Sequence, residues 1–234
     1  MQICGLQKTT LLDFPGHVAC TVFTGGCNFR CPFCQNGELV LNPAAMPGTS
    51  PEEVLVFLKK RKGILEGVCI TGGEPTLQPD LKEFIMSARE LGYLIKLDTN
   101  GYRPDILRNL MEEGLLDYVA MDVKASKANY EKVAGCREFE ISRIEESVAM
   151  LMGQDKIPYE FRTTVVKGLH DPKEFEELGK WLSGARVLYL QSYLESANVL
   201  NPSIPMSDFT KQELESMADM ARNYIARVEI RGVE

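Results

Sequence analysis

The sequence predicts an α/β protein in which helices cover the outside of a parallel β-sheet. Short apolar runs typical of strands alternate about six times with amphipathic helical segments, and such alternation is characteristic of successive β–α–β units. No internal repeat or low-complexity segment interrupts the pattern. The length of 234 residues suits one domain with a large core. We therefore expect a single domain over residues 1–234.

The predicted strands are apolar runs that end at glycine or at a polar residue. The run at 18–24 stops at two glycines, and the run at 68–71 stops at Gly72 and Gly73, which favour a turn. Residues 1–17 are expected to form a loop or a short strand. The predicted strands cover residues 18–24, 68–71, 93–98, 116–122, 159–165 and 186–190. These units are fewer than the eight that close a full parallel barrel.

The predicted helices begin at capping residues and carry an apolar stripe. Ser50 precedes Pro51 and stands three residues before Glu53, which is the pattern of a capping box followed by proline in the first turn. Related signals predict further helix starts at Ser142, at Asp171 and at Thr210. Two other helices, near 81–91 and 106–111, are predicted from one apolar face and a closing glycine.

Composition argues against several classes of function. The chain has 26 lysine and arginine residues and 33 aspartate and glutamate residues, so its net charge is 26 − 33 = −7. Nucleic-acid-binding proteins usually carry a basic patch or stripe, and because the sequence has none, a nucleic-acid partner is disfavoured. No apolar run approaches a membrane span, and no basic-then-apolar leader opens the chain. Seven cysteines, an odd number, favour a reducing compartment over a disulfide framework. We expect a cytoplasmic protein.

Three cysteines lie within eight residues, on a loop that leaves the first predicted strand. Cys27, Cys31 and Cys34 have the spacing C-x3-C-x2-C, and such clusters are typical of metal ligands or redox pairs. Three ligands are one fewer than a closed zinc site or an ordinary iron–sulfur cubane takes. A cubane held by this loop alone would leave one iron open to substrate. Alternatively, His17 or Cys20 supplies a fourth ligand and completes a zinc site.

A second motif follows the next predicted strand. Gly72 and Gly73 allow the backbone to approach a ligand closely, and the carboxylate of Glu74 is suited to a charge-assisted bond with an ammonium group. Polar side chains also occur at or near the carboxyl ends of other strands, where parallel strands present them to one mouth. Those residues are Cys27, Glu74, Asp98, Asp122 and Arg162.

These motifs together resemble the radical S-adenosylmethionine (SAM) superfamily. The cysteine motif has an aromatic residue, Phe33, before its third cysteine, and Gly72-Gly73-Glu74 resembles the superfamily's GGE motif. More closely, the chain resembles activating enzymes of glycyl radical enzymes, in particular the activators of anaerobic ribonucleoside-triphosphate reductase. That likeness extends over essentially the whole chain and rests on residues 8–16, 98–101 and 161–168.

The resemblance implies both a fold and a chemistry. The fold is an open, partial (β/α)6 barrel. Cys27, Cys31 and Cys34 hold one 4Fe–4S cluster, and SAM chelates the open iron. An electron from a low-potential donor such as flavodoxin or ferredoxin then cleaves SAM, and a 5′-deoxyadenosyl radical removes a hydrogen atom from a glycine of the partner enzyme. The cofactors supply the difficult chemistry, whereas the protein orients them and excludes water.

The resemblance also implies SAM contacts. Phe33 resembles a residue whose surroundings hold the adenine, and Arg162 resembles an arginine near the SAM carboxylate, a role suited to its bidentate fork. Where a relative has a histidine beyond the sixth strand, this chain has none, and Gln191 is a candidate replacement. The full set of expected SAM contacts is Phe33, Gly73, Glu74, Asp98, Asp122, Lys124 and Arg162.

A monovalent cation is expected beside the SAM carboxylate. Asp98 and Asp122 end adjacent predicted strands, and clustered carboxylates disfavour ionisation unless a cation lies between them. Asp98, Thr99 and Asp122 are the expected ligands, and the resemblance supports such a site. The alternative is that Lys124 and Arg162 neutralise both carboxylates directly.

Other functions stay open. One is a radical SAM enzyme that acts on a small molecule, similar to a deazapurine synthase. Another is an activator of a different glycyl radical enzyme, such as pyruvate formate-lyase. A third is a zinc- or cluster-bearing binding module without catalysis, which anaerobic iron content and SAM cleavage would distinguish from an enzyme.

Overall fold

An eight-stranded sheet runs through the computed structural model, which describes residues 1–136, 138–196 and 198–233. The strands follow one another in chain order, with β1 antiparallel to β2 and every later neighbour parallel. Their bounds are β1 Ile3–Thr10, β2 Ala19–Thr24, β3 Gly67–Gly72, β4 Leu94–Thr99, β5 Tyr118–Asp122, β6 Tyr159–Val165, β7 Leu188–Ser192 and β8 Val228–Arg231. The sheet is a partial barrel with β1 and β8 at its two edges.

The helices lie between the strands and cover the outside of the sheet. Those with apolar stripes bury them against it, as α3 does with Leu81, Phe84, Ile85 and Ala88. The α-helical bounds are α1 Gly37–Leu41, α2 Pro51–Lys60, α3 Leu81–Glu90, α4 Pro104–Glu112, α5 Tyr130–Ala134, α6 Ile141–Met152, α7 Glu174–Trp181 and α8 Lys211–Arg222. In the part of the chain that is described, no helix has the length and apolar character needed to span a bilayer.

The sequence prediction is confirmed for the six strands β2 to β7, and it misses the last strand of the sheet. Residues 1–17, expected to form a loop or a short strand, contain the eight-residue strand β1, whose partly exposed side chains fit an edge strand. The last strand, β8, was not predicted. Because polar Glu229 and Arg231 alternate with Val228 and Ile230 over only four residues, β8 carries no continuous apolar signal.

Two of the four predicted caps are confirmed. Ser50 and Thr210 each form a full capping box. Their hydroxyls accept the main-chain N–H of Glu53 and Glu213, and the carboxylates of those glutamates accept the main-chain N–H of Ser50 and Thr210. The prediction at Ser142 is wrong, because α6 begins one residue earlier, at Ile141, and has no side-chain cap.

The prediction that Asp171 caps a helix is also wrong, although the predicted helix is present. Asp171 Oδ1 accepts the main-chain N–H of Lys173 at 2.9 Å, and Glu174 Oε2 accepts that of Asp171 at 3.3 Å. These bonds stabilise a turn before the helix, so that α7 begins only at Glu174.

Candidate active site

A cavity of about 370 Å³ opens at the carboxyl ends of the parallel strands. Cys27, Cys31 and Cys34 line one side of it, all on the loop between β2 and α1. Cys31 is buried, whereas the other two are half-buried. The buried ring of Phe33 lines the same cavity. The three predicted metal ligands therefore face one shared space.

Most of the SAM contacts expected from sequence line this cavity as well. Arg162 differs, because it reaches the site through its ion pairs with Asp98 and Asp122. The expected contacts that line the cavity directly are Phe33, Gly73, Glu74, Asp98, Asp122 and Lys124. The folding of the strands thus brings together residues that are up to about ninety positions apart in sequence.

Two distant segments hold the cysteine loop in place. The main-chain N–H of Arg30 donates to the carbonyl of Ala134, in α5, at 2.9 Å. On the other side, Leu200 N–H donates to Cys34 O at 2.9 Å and Asn201 N–H donates to Pro32 O at 3.0 Å. Short helix α5 and the connection between β7 and α8 therefore fix the loop through its backbone. Neither contact was predicted, since both depend on tertiary structure.

Gly73 is required by close backbone packing. A Cβ atom at this position would lie 1.9 Å from the carbonyl oxygen of Gly26, at the start of the cysteine loop. Gly72 has φ +122°, and a Cβ there would lie 2.3 Å from Thr24 N. The two glycines thus let the end of β3 pack directly against the end of β2. The close approach is to the cysteine loop itself, a reason that the sequence did not reveal.

The carboxylate of Glu74 is buried and accepts bonds from several donors. Its Oε1 accepts the hydroxyl of Thr99 at 2.7 Å and both the hydroxyl and the main-chain N–H of Thr76. Its Oε2 accepts the main-chain N–H of Asn100 at 2.7 Å. Three of these bonds end on Oε1 and one on Oε2, so Oε2 keeps an acceptor position that an ammonium group could use. Burial raises the pKa of Glu74.

A row of alternating charges crosses the barrel beside the cavity. Arg162 Nη1 donates to Asp98 Oδ2 at 3.0 Å, and its Nε donates to Asp122 Oδ1 at 2.8 Å. Lys124 Nζ donates to Asp122 Oδ2 at 3.0 Å, and Lys96 pairs with Asp98. Three cations therefore serve two carboxylates, which leaves one positive charge for an incoming anion.

The same ion pairs shift the pKa values of these groups. Burial alone would raise the pKa of Asp98, but Arg162 and Lys96 outweigh burial and lower it. The pKa of Asp122 is lowered further, because Arg162 and Lys124 outweigh its burial. Both aspartates are therefore held in the ionised form.

The thiol groups show the opposite effect. Burial raises the pKa of Cys27 to about 11, with a contribution from the negative charge of Glu74, and burial raises that of Cys31 to about 12. Thiolates at these positions need a bound cation to stabilise them, as in any site where ligation and deprotonation are coupled.

The alternative zinc ligands lie elsewhere. His17 Nδ1 is 2.9 Å from Glu66 Oε2 just before β2 begins, whereas the cysteine loop follows its end. Cys20 is fully buried within β2. Among residues 1–136, 138–196 and 198–233, no three His, Cys, Asp or Glu side chains converge closely enough for a single metal ion. These positions argue against a zinc site completed by either residue.

The donor set fits a larger iron–sulfur group. Three thiols face one cavity, and thiolates are the usual ligands of such clusters. Beside Cys27, the amide nitrogen of Asn28 is buried without an acceptor in the described chain. An unpartnered buried donor is uncommon and is consistent with a loop built around a group that the polypeptide does not supply.

Several residues that line the cavity were not predicted as site residues, among them Arg231 and Asn100. Arg231, on β8, lines the rim, where Glu160 accepts from its Nη1 and Nη2 at 3.1 and 3.3 Å. Asn100 follows β4 and faces Cys27. Gln191, the candidate for the missing histidine, lines the cavity at the end of β7. Asn100 could have been found from its place in the 98–101 motif, whereas Arg231 lay on an unrecognised strand.

Comparison with known proteins agrees with this architecture. The radical SAM superfamily model matches residues 21–182. A Methanocaldococcus jannaschii protein, named as a candidate glycyl-radical enzyme activating enzyme, is 30% identical over 99% of this chain and 96% of its own length. The 7-carboxy-7-deazaguanine synthase of Methanopyrus kandleri is 32% identical over 67% of this chain and 70% of its own length.

Solved structures show the same fold at low sequence identity. Streptococcus suis SuiB bound to its precursor peptide SuiA superposes with a TM-score of 0.68 at 15% identity, covering 91% of this chain and 48% of SuiB. The partial barrel and its three-cysteine cavity define an enzyme of the kind that works with an iron–sulfur cluster and SAM. The chain belongs to the radical SAM superfamily.

Proposed function

We propose that this enzyme is an activase that generates a glycyl radical on a partner protein, with anaerobic ribonucleoside-triphosphate reductase as the first candidate. The observation that carries the proposal is the similarity to a candidate activating enzyme over nearly the whole of both chains. The site contributes a second argument. Since β1 and β8 stand at the edges of an open sheet, the mouth is suited to a peptide segment entering from the side.

Each group at the site has a task in this proposal. Cys27, Cys31 and Cys34 would hold a 4Fe–4S cluster, which together with SAM supplies the hydrogen-abstracting radical chemistry. Lys124 and Arg162 carry the positive charge that would bind the SAM carboxylate. Their salt bridges to the half-buried Asp98 and Asp122 keep both side chains in fixed positions before the ligand arrives, which lowers the cost of ordering them on binding.

The proposed SAM contacts also include groups that shape the cavity. Phe33 provides an apolar wall for the adenine, and the backbone around Gly73 offers polar groups for the amino end of SAM. Glu74 fixes the neighbouring turn through its four accepted bonds. Gln191 stands at the rim as the proposed replacement for a relative's histidine.

A monovalent cation at Asp98, Thr99 and Asp122 would compete with contacts that these residues already make. Arg162 already bridges the two carboxylates, and the Thr99 hydroxyl donates to Glu74. These contacts favour direct neutralisation, the alternative to a cation. SAM affinity in sodium or potassium buffer, compared with a tetraalkylammonium buffer of equal ionic strength, tests the point. Equal affinities would rule the cation out.

A second candidate function is a radical SAM reaction on a small molecule. The specific observation in its favour is the similarity to a 7-carboxy-7-deazaguanine synthase across two-thirds of this chain. That similarity covers less of the chain than the match to the candidate activating enzyme. We therefore rank it second, together with activation of a different glycyl radical enzyme such as pyruvate formate-lyase.

One experiment separates these functions. The enzyme is reconstituted anaerobically, then mixed with SAM, a reductant such as reduced flavodoxin or ferredoxin, and one candidate substrate at a time. A doublet from a glycyl radical in electron paramagnetic resonance, seen with the reductase, supports the proposal. Formation of 7-carboxy-7-deazaguanine without any protein radical would contradict it. The need for a reduced cluster also supports our expectation of a cytoplasmic location.

A further inference from the structure

The side-chain amide of Asn100 lies beside the sulfur of Cys27. Its Nδ2 is 3.8 Å from Cys27 Sγ and donates a 2.9 Å hydrogen bond to Asn28 Oδ1. The main-chain N–H of Phe29 donates to the same sulfur at 3.3 Å. Two N–H groups from separate segments therefore approach this one cysteine.

The surrounding bonds fix which atom of the Asn100 amide faces Cys27. Its Oδ1 accepts the main-chain N–H of Tyr102 at 3.0 Å. An amide assignment follows from such a network, because only the oxygen accepts. The Nδ2 group must therefore point to Cys27 and Asn28, and it carries two hydrogens, one for each.

The turn that carries Asn100 is held from three sides. Glu74 accepts its main-chain N–H. The next residue, Gly101, has φ +74°, and a Cβ there would lie 2.2 Å from Met121 Cε. Ser147 Oγ donates to the carbonyl of Gly101 at 2.6 Å. The amide is thus positioned by the fold and does not depend on a flexible loop.

Cys31, which is more deeply buried than Cys27, has a different environment. Cys31 Sγ lies 3.6 Å from the carbonyl oxygen of Ala134, which is an acceptor and offers no hydrogen to a thiolate. A donor stabilises a sulfur more as the sulfur becomes more negative, and a reduced cluster places more charge on its ligands. Hydrogen bonds to the sulfurs are one of the factors that set cluster potentials.

We infer that Asn100 is a positioning residue that donates a hydrogen bond to the Cys27 thiolate and thereby raises the reduction potential of the cluster. The inference rests on the cluster-binding part of the proposed function and is independent of which partner is activated. Glu74 supports the same task, because it holds the Asn100 backbone. The GGE motif and the 98–101 motif would then act together on the Cys27 thiolate.

The test is the midpoint potential of the anaerobically reconstituted enzyme, followed by electron paramagnetic resonance of the reduced cluster. Asn100→Ala and Asn100→Asp should both shift the potential to more negative values, and Asn100→Asp keeps an oxygen for the Tyr102 N–H. Each tenfold loss in the reduction equilibrium appears as a shift of 59 mV for one electron. Asn109→Asp, on the exposed side of α4, is the matched charge control and should leave the potential unchanged.

Iron content separates this inference from the cluster assignment. Variants that hold about four irons per chain but keep the wild-type potential would overturn the role of Asn100. A potential that shifts in Asn100→Asp but not in Asn100→Ala would also overturn it. That result would show that the added negative charge changes the potential and that the lost hydrogen bond does not. If both variants lose the cluster, ¹⁵N-asparagine labelling decides, with the label removed from the neighbouring Asn28 by Asn28→Ser: electron spin-echo modulation should still show a ¹⁵N coupling from Asn100, and its absence contradicts the inference.

Discussion

The carboxylate of Glu74 and the main-chain N–H of Asn100 form a 2.7 Å hydrogen bond that joins the loop after β3 to the turn after β4. Both segments border the cysteine loop, since Gly73 packs on Gly26 and Asn100 faces Cys27. The cavity is therefore built from three strand ends that contact one another. Loss of one of these contacts should destabilise the other two.

Replacing Glu74 by glutamine should destabilise the fold around the cavity. A glutamine places an NH₂ group where the carboxylate now accepts from N–H and O–H donors, so at least one buried donor loses its partner, at a cost of about 1–3 kcal/mol. Urea unfolding measures the loss. Glu52→Gln, at an exposed site on α2, should stay within about 0.5 kcal/mol of wild type. Equal stability of the two variants would show that the Glu74 bonds contribute little.

Each of the three cavity cysteines should be required for the cluster. Cys27→Ala, Cys31→Ala and Cys34→Ala each remove one of only three thiolate ligands, so that iron content after reconstitution should fall to background. Cys4→Ala removes a buried thiol outside the cavity lining and should retain full iron. A Cys31→Ala protein that keeps its iron and still cleaves SAM would refute the ligand assignment.

Gly73→Ala should separate β3 from the cysteine loop. The new Cβ would lie 1.9 Å from Gly26 O, a distance that only a backbone shift relieves. We expect loss of iron binding together with a lower urea midpoint. Gly5→Ala, on edge strand β1, adds a Cβ no nearer than 3.5 Å to another heavy atom and should behave as wild type. Full iron content in Gly73→Ala would show that the loop tolerates the shift.

Stability should fall in acid because of Asp98 and Asp122. Both carboxyl groups have a folded-state pKa below their ordinary value of 3.8. Their contribution is therefore complete above that value and is lost as the pH falls from it towards the folded-state pKa. The Asp122→Asn variant lacks one of these groups. The difference between its free energy of unfolding and that of the wild type should therefore become smaller as the pH falls from about 5 to about 2.

Urea midpoints of the apoprotein at several pH values measure this effect. Asp155→Asn, at an exposed turn before β6, should follow the wild-type curve throughout. A deficit of Asp122→Asn that stays constant over the whole range would contradict the stabilising role of the ionised carboxylate.

Local signals account for the parts of the fold that sequence predicts well. Strands β2 to β7 are apolar runs bounded by turns, and the cysteine motif is contiguous. In contrast, β8 is short and half polar, and its Arg231 gains a partner only when Glu160 on β6 is brought near it. A local sequence pattern cannot predict the Arg231–Glu160 ion pair, because the two residues are far apart in sequence.

The site divides in the same way. Sequence identified the cavity residues because they stand at strand ends, but it assigned Gly73 to ligand contact, and the structure adds a packing role against Gly26. The partners of Glu74 come from Thr76, Thr99 and Asn100, and the last two follow a different strand. Their bonds exist only once β3 and β4 are adjacent.

Removal of a hydrogen atom from a glycine of a partner protein is the reaction proposed for this enzyme. To follow that atom, the anaerobic ribonucleotide reductase of the same organism is prepared with α-deuterated glycine and mixed with reconstituted enzyme, SAM and reductant. Mass spectrometry of the 5′-deoxyadenosine should show one deuterium gained, in step with the glycyl radical signal. Turnover of SAM with no deuterium in the product and no protein radical would contradict the claim.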